Sequence, residues 1–268
     1  MNDRLLGTRL YAAADDDRSQ SFLVSDLHLP ADGGAPLQAL QRLLAAASAS
    51  GAQARLLVLG DLFDSYVGPA QLRVGVWREV AAALAQTAAA GVSLTLLHGN
   101  RDFLLAGEFT AAARCRVVAG GLRCQLAGRR ALLLHGDELC QRDLPYQRAK
   151  RWLRHPLTRF VARRLPLQVA LRAAERARRQ SRQVIRSGDQ SRFDPTAVAM
   201  TAAFATGAEL LVFGHIHRPA RGRFGAGEYC ILPAFDASGV FLRASGAALS
   251  FERAFADGAV DYPARTFR

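Results

Sequence analysis

Short apolar runs that end in polar residues alternate along this chain with Ala/Leu-rich stretches of helical spacing, the mark of β-α-β units. The pattern predicts strands at Phe22 to Ser25, Leu56 to Leu59 and Leu94 to Leu97, and helices at Leu37 to Ser50 and Ala70 to Ala90, closed by Gly51 and Gly91. A shorter helix is expected near Leu104 to Arg114. Further strands are predicted at Arg116 to Val118, Leu122 to Leu126, Ala131 to Leu134, Leu210 to Phe213, Tyr229 to Leu232, Val240 to Arg243 and Ala248 to Phe251. Early β-α-β followed by late β-rich sequence implies an α/β fold of two packed sheets flanked by helices. From Tyr146 to about Ile185 the pattern turns helical, with Pro156 and Pro166 as breaks. There Trp152, Leu153, Leu157, Phe160, Val161 and Leu165 recur at helical spacing among arginines. The reading is an N-terminal extension (1–20), a core (21–141 and 187–268) and an inserted helical cap (142–186).

Composition narrows the class. Half of the 268 residues are apolar and 22% are charged, which excludes a disordered chain. No run approaches the ~18 apolar residues of a spanning helix. Residues 1–20 lack the basic start and apolar stretch of a secretion signal, so a cytoplasmic protein is expected. The four cysteines show no CxxC pairing and are expected to be reduced. Charge is concentrated. Between Arg142 and Arg186 stand fourteen Arg or Lys against Asp143 and Glu175, which accounts for the whole net charge of +12.

The candidate chemistry sits at strand ends, where open α/β sheets place their sites. Five clusters fall there: Ser25-Asp26-Leu27-His28, Gly60-Asp61, Gly99-Asn100, His135-Gly136-Asp137 and Gly214-His215-Ile216-His217. Carboxylate and amide oxygens mixed with imidazoles suit Mn²⁺, Fe²⁺ or Zn²⁺ without a thiolate. A pair of ions roughly 3.5–4 Å apart needs several ligands with one carboxylate shared, and the clusters supply that number. The two-residue spacing in Asp26/His28 and His215/His217 lets both members of a pair turn to one side of a loop. Flanking glycines permit close backbone approach. A lone histidine near a strand end is more often structural than a ligand, and His98 and His155 are read that way: one as packing or support, the other as solvated.

The order of these clusters resembles the calcineurin-like metallophosphoesterases, whose pattern is D-x-H, GD, GN-[HR], an isolated His and GH-x-H, over roughly residues 21 to 220. The resemblance implies a four-layer αββα sandwich. It implies one metal on Asp26, His28 and His217, a second on Asn100, His135 and His215, and Asp61 bridging. Gly60-Asp61-Leu62-Phe63-Asp64, His98-Gly99-Asn100-Arg101-Asp102-Phe103-Leu104 and His135-Gly136-Asp137-Glu138-Leu139-Cys140, followed by Asp143 and Tyr146-Gln147, are similar to the UDP-2,3-diacylglucosamine diphosphatase family of lipid A biosynthesis. That narrower likeness implies two Mn²⁺ (or Fe²⁺ or Zn²⁺), and pyrophosphate hydrolysis of a lipid-linked nucleotide sugar to UMP and 2,3-diacylglucosamine 1-phosphate. Asn100 and Arg101 are the implied catalytic groups, and Asn100, Arg101, Asp143, Ser181 and His215 the implied substrate contacts. Four positions depart from that family: Ile216 stands for its Thr, Tyr66 for its Trp, and Ile185 and Gly188 for its Asn and Lys.

Arg101 carries a chemical argument of its own. Many metallophosphoesterases have a histidine there to protonate the leaving oxygen, whereas an arginine can only stabilise charge. A phosphate leaving group needs little protonation, so Arg101 favours pyrophosphate over monoester cleavage. The plain structural role for Arg101 is a salt bridge with Asp102. The basic cap, with Trp152, Leu157 and Phe160 among its arginines, reads as an interfacial surface for an anionic membrane, peripheral on the inner face. Nucleic acid is the disfavoured partner because stacking aromatics are few. A monomer is expected. A soluble phosphodiesterase and a non-catalytic metal-stabilised binding module are the alternatives.

Overall fold

The computed structural model describes residues 3–13, 18–187, 190–236, 238–255 and 258–267. Strands β1 (Arg4–Leu5) and β2 (Thr8–Ala12) form a hairpin at the start. Then β3 (Gln20–Val24), α1 (Gly34–Ala49), β4 (Ala54–Val58), α2 (Gly75–Ala89), β5 (Ser93–Leu97), α3 (Gly107–Ala113) and β6 (Arg116–Val118) alternate, with neighbouring strands of this set parallel. An antiparallel hairpin of β7 (Gly121–Leu126) and β8 (Arg129–Leu134) follows. Helices α4 (Leu144–Leu153), α5 (Pro156–Ala162) and α6 (Leu167–Ser187) occupy the basic segment. After α7 (Ala197–Phe204) come β9 (Leu210–Phe213), β10 (Ala220–Phe224), β11 (Gly227–Ile231), β12 (Val240–Ser245), β13 (Ala248–Arg253) and β14 (Ala259–Val260).

Two seven-stranded sheets result, one ordered β14-β13-β12-β3-β4-β5-β6 and the other β1-β2-β7-β8-β9-β11-β10. Side-chain alternation along the strands decides which layer each residue joins. Phe22, Val24, Leu56, Val58, Leu94 and Leu96 point to α1, α2 and α3, whereas Leu23, Leu57, Leu59 and Leu97 meet Leu122, Leu133, Leu210 and Val212 of the second sheet. On the far side Leu132, Leu134, Leu211 and Phe213 pack on Ala199, Met200 and Ala203 of α7. These are the four layers of an αββα sandwich. Each fully buried leucine, such as Leu57 or Leu133, contributes ~1.5–3 kcal/mol.

Several expectations need correction. Part of the segment read as an N-terminal extension is in the second sheet, because β2 pairs in parallel with β7 through Leu10 opposite Gly121. The helix expected over Ala70 to Ala90 is two pieces, a 3-10 turn at Pro69–Arg73 and then α2. Val74 is extended, and the left-handed Gly75 (φ 50°) restarts the chain. Helix α7 carries no amphipathic signal because it is apolar nearly throughout, and Thr196 caps it by accepting from Ala199 N–H. Strands β10 and β14 were not predicted; both are sheet edges whose residues are largely intermediate or exposed.

The inserted helices contact the core at a few charged and apolar points. Arg163 pairs with Glu108, Arg178 with Asp64, and Ala162 and Leu171 pack on the helix-side core. Their outward face is apolar as well as basic, with Trp152 79%, Leu157 64% and Phe160 54% exposed. No helix among the described residues is long and apolar enough to cross a membrane.

Candidate metal centre

The C-terminal ends of β3, β4 and β5 in one sheet and of β8 and β9 in the other deliver their loops to one place. Backbone bonds tie these loops together: Asp26 N–H donates to Gly60 C=O (3.1 Å), His28 N–H to Asp61 C=O (3.0 Å) and Gly214 N–H to His135 C=O (2.9 Å). Of the eight described non-glycine residues with positive φ, five are Asp26, His28, Asp61, His215 and His217. A left-handed backbone costs an ordinary residue of order 1–3 kcal/mol, and such strain clusters where function holds it. Here it reverses the chain just past each strand, so that both members of a DxH or HxH pair reach inward.

Glycine is obligatory beside them. A Cβ on Gly99 would lie 2.0 Å from Asp61 Oδ1, and one on Gly214 2.1 Å from Ser25 Oγ and 2.4 Å from Asp26 Oδ2.

Two ligand groups emerge. Asp26, His28 and His217 form one, and Asp26, Asp61 and His135 the other. His28 Nε2 and His217 Nε2 are 3.2 Å apart, and His217 Nε2 is 3.1 Å from Asp26 Oδ1. Two donors on one ion at ~2.1 Å are separated by roughly 3.0–3.4 Å, so these spacings fit a shared cation. The Asp61 oxygens face different ways, Oδ2 3.7 Å from His28 Nδ1 and Oδ1 3.9 Å from His135 Nε2, the posture of a bridging carboxylate. Asn100 Oδ1 lies 3.0 Å from His135 Nε2. The His215 ring is edge-on to His135 at 5.0 Å between centroids, and its backbone N–H donates to Asp26 Oδ2 (2.7 Å). Five of the seven expected ligands thus stand in groups that could hold an ion, Asn100 borders them through His135, and His215 adjoins by its ring. His28 Nδ1 is buried without a hydrogen-bond partner and Asp26 Oδ1 has only the His217 ring nitrogen beside it, a costly condition that a cation relieves.

The protonation pattern divides the histidines. Burial pushes His28 and His215 down to about 3, which leaves both imidazoles neutral and able to ligate. Burial also acts downward on His135, but the Asp61 and Asp26 carboxylates outweigh it and lift the group to about 9. Asp61 itself is raised to about 7 by burial, with Asp102 and Asp26 adding repulsion. Burial also acts downward on His217, but its hydrogen bond to Asp26 and the Asp26 charge outweigh it, so the buried carboxyls of Asp26 and Asp61 are balanced by His135, His217 and the Arg101 guanidinium 3.6 Å from Asp61.

Arg101 departs from one expectation. Its guanidinium does not pair with Asp102. Nη1 donates to Asp64 Oδ1 (2.7 Å), Nε lies 3.6 Å from Asp61 Oδ2, and the backbone N–H donates to Asp61 Oδ1 (2.9 Å). Asp102 is already occupied, accepting from Leu62 N–H and Gly99 N–H at 2.8 Å each, which fastens the Asp61 and Asn100 loops together. His98 is buried and bonded to Leu105 C=O (2.8 Å), and His155 caps α5 from an exposed position. Tyr66 packs between Phe63 and Phe109, and Ile216 joins the α7-side core.

The implied substrate contacts are more scattered. Asp143 sits at the start of α4, and Ser181 is exposed on α6. Gly188 and the Ile185 side chain lie outside the described residues. Sequence reasoning gave no role to Asp137, which is fully buried behind His135 and receives Tyr146 Oη, Lys150 Nζ (2.9 Å) and Arg154 Nη2 (3.4 Å) from α4. Arg154 also donates to Gly99 C=O (3.2 Å). The signal available was its place in the His135-Gly136-Asp137 cluster, with Tyr146 and basic residues soon after.

The calcineurin-like phosphoesterase profile matches residues 22–219, the span that contains every one of these candidate ligands. The chain belongs to that family. Family membership implies a hydrolase that uses divalent metal. Among relatives, UDP-2,3-diacylglucosamine hydrolase of Pseudomonas syringae pv. tomato is 37% identical over 208 residues, 77% of this chain and 83% of that one. The protein of the same name from Pseudomonas savastanoi pv. phaseolicola is 38% identical over 213 residues, with the same shares. That of Ralstonia nicotianae is 35% identical over 247 residues, 86% of this chain and 91% of the relative.

Proposed function

We propose that this phosphoesterase hydrolyses the pyrophosphate bond of UDP-2,3-diacylglucosamine to UMP and 2,3-diacylglucosamine 1-phosphate. The observation that carries the reading is likeness at 35–38% identity, over most of both chains, to hydrolases named for that substrate. Asp26, His28 and His217 would hold one Mn²⁺ and Asn100, His135 and His215 the other, with Asp61 between them. Fe²⁺ and Zn²⁺ suit the same donors. When bound, the pair of ions supplies Lewis acidity, lowering the pKa of water and neutralising phosphoryl charge.

The protein groups do the positioning. Asp61 holds the two halves of the site in register, and Asp102 keeps its loop against Asn100. Arg101, anchored by Asp64 at the edge of the site, offers a fixed positive charge to a phosphate leaving group and no proton. That suits an anhydride better than an alkyl ester. The exposed apolar and basic face of α4 and α5 supports a second part of the reading, reversible residence on the anionic inner membrane from the cytoplasmic side, with Trp152 at headgroup level.

The test is turnover by the Mn²⁺-loaded protein of UDP-2,3-diacylglucosamine against a soluble dinucleotide. Release of UMP from the lipid at a kcat/KM at least tenfold higher is expected. Rapid turnover of the dinucleotide with none of the lipid would reassign the protein to a soluble nucleotide phosphodiesterase.

A further inference from the structure

A second charged concavity lies outside the metal centre. It is a cavity of about 720 Å³ between the N-terminal hairpin and α4, and none of the seven ligand residues lines it. The hairpin contributes Arg4, Leu6 and Arg9, and α4 contributes Leu144, Lys150, Arg151 and Arg154. Five cations thus meet one lining carboxylate. That carboxylate, Glu138, is buried and accepts the Gly136 N–H, and burial beside Asp137 raises its pKa.

Lys150 and Arg154 are partly balanced by Asp137. Arg4, Arg9 and Arg151 have no carboxylate partner among the described residues; the Arg9 guanidinium rests 5.1 Å from the Tyr11 ring centre. Arg4 and Arg9 are direct cross-strand partners in the β1–β2 hairpin. Like charges in that relation destabilise a strand pair, so the hairpin is built with a repulsion that an anion between the two would relieve.

We infer that this cavity binds a phosphate-bearing anion of at least two negative charges. Guanidinium forks match phosphate oxygens two at a time, and three such forks without a carboxylate partner among the described residues call for more charge than one carboxylate brings. The exposed side chains of Leu6 and Leu144 at the rim would accommodate either open water or the first carbons of a phospholipid. A soluble polyphosphate or a lipid headgroup therefore offers the same chemistry.

The test titrates the metal-loaded protein, freed of excess Mn²⁺, with inorganic pyrophosphate by calorimetry. Two classes of site are expected, one abolished by Asp61→Ala and the other weakened at least tenfold by combined Arg4→Gln, Arg9→Gln and Arg151→Gln. Hydrolysis of a chromogenic phosphodiester should be unchanged in the triple variant. Arg151→Gln alone should weaken the second class several-fold, so the result does not depend on the hairpin. Arg9→Gln should raise the melting temperature without pyrophosphate and reduce the stabilisation that pyrophosphate confers. Loss of binding to cardiolipin-containing vesicles, whose headgroup carries two phosphates, in the triple variant, with competition by pyrophosphate, would identify a headgroup; unaltered vesicle binding alongside lost pyrophosphate binding would identify a soluble anion. A single class of site that vanishes with Asp61→Ala, or pyrophosphate binding unchanged in the triple variant, overturns the assignment.

Discussion

Replacing Gly99 by alanine perturbs the site without removing a ligand. The added methyl would lie 2.0 Å from Asp61 Oδ1, 2.3 Å from Asp61 N and 2.8 Å from Asp61 Cγ. The closest of these is roughly 1–1.5 Å short of van der Waals contact, and Asp61 is held by the Gly60 and Leu62 loops, so the carboxylate or the whole Gly99 turn must shift by about that distance. Misplacement of ~1 Å in a positioned group can cost about 10²-fold in rate. Overpacking of this kind costs roughly 1–3 kcal/mol of stability, a fall in Tm of order 2–10 °C for a chain of this size. Gly107→Ala is the matched control. At the first residue of α3 a Cβ meets nothing within 4 Å and φ is not positive, so alanine there should be neutral or stabilise by ~0.4–1 kcal/mol. Steady-state hydrolysis of a chromogenic diester at saturating Mn²⁺, bound metal by elemental analysis and thermal melting would be measured on both. A Gly99→Ala protein with near wild-type kcat and full metal content would refute the crowding argument.

Asp61→Ala should lower activity by several orders of magnitude with the fold preserved, checked by circular dichroism, because its two oxygens serve both halves of the site. Arg101→Ala should reduce kcat on the pyrophosphate by ~10²–10³ while metal content stays unchanged, the usual cost of one preorganised charge donor; equal rates in both forms would dismiss it. Replacement of Arg159, Arg163 and Arg164 by Gln should weaken sedimentation with anionic vesicles, and added salt should do the same to the wild type. At Glu228, burial acts upward on the carboxyl, but hydrogen bonds from Arg221 and Arg129 outweigh it and depress its pKa below 4.5. Its contribution is therefore present above the ordinary Glu pKa and lost as pH falls through the lowered value. Glu228→Gln should flatten the acid limb of a stability–pH profile, with a loss at neutral pH of about 1 kcal/mol or less.

The core strands and the candidate site were legible for one reason: a buried strand ending in Asp, Asn or His juxtaposes two chemistries, and the structure brings those ends together. Val24-Ser25-Asp26 and Phe213-Gly214-His215 both carry that signature. What escaped notice depends on partners distant in sequence. Asp102 resembled a mate for Arg101 because it is adjacent, yet its oxygens serve Leu62 and Gly99, and Arg101 reaches 37 residues back to Asp64. The strand at Thr8–Ala12 alternates buried Thr8 and Leu10 with exposed Arg9, but it is too short and too basic to stand out until β7 pairs with it. Asp137 stood in the candidate cluster with His135 but without a role of its own; only the fold brings α4 back to set Tyr146, Lys150 and Arg154 upon it.

Anomalous diffraction from crystals grown with Mn²⁺ bears most directly on the dinuclear assignment. Two peaks roughly 3.5–4 Å apart are predicted, one against Asp26, His28 and His217, the other against Asn100, His135 and His215, with Asp61 touching both. A single peak, or two peaks that leave Asp61 uncoordinated, would contradict it.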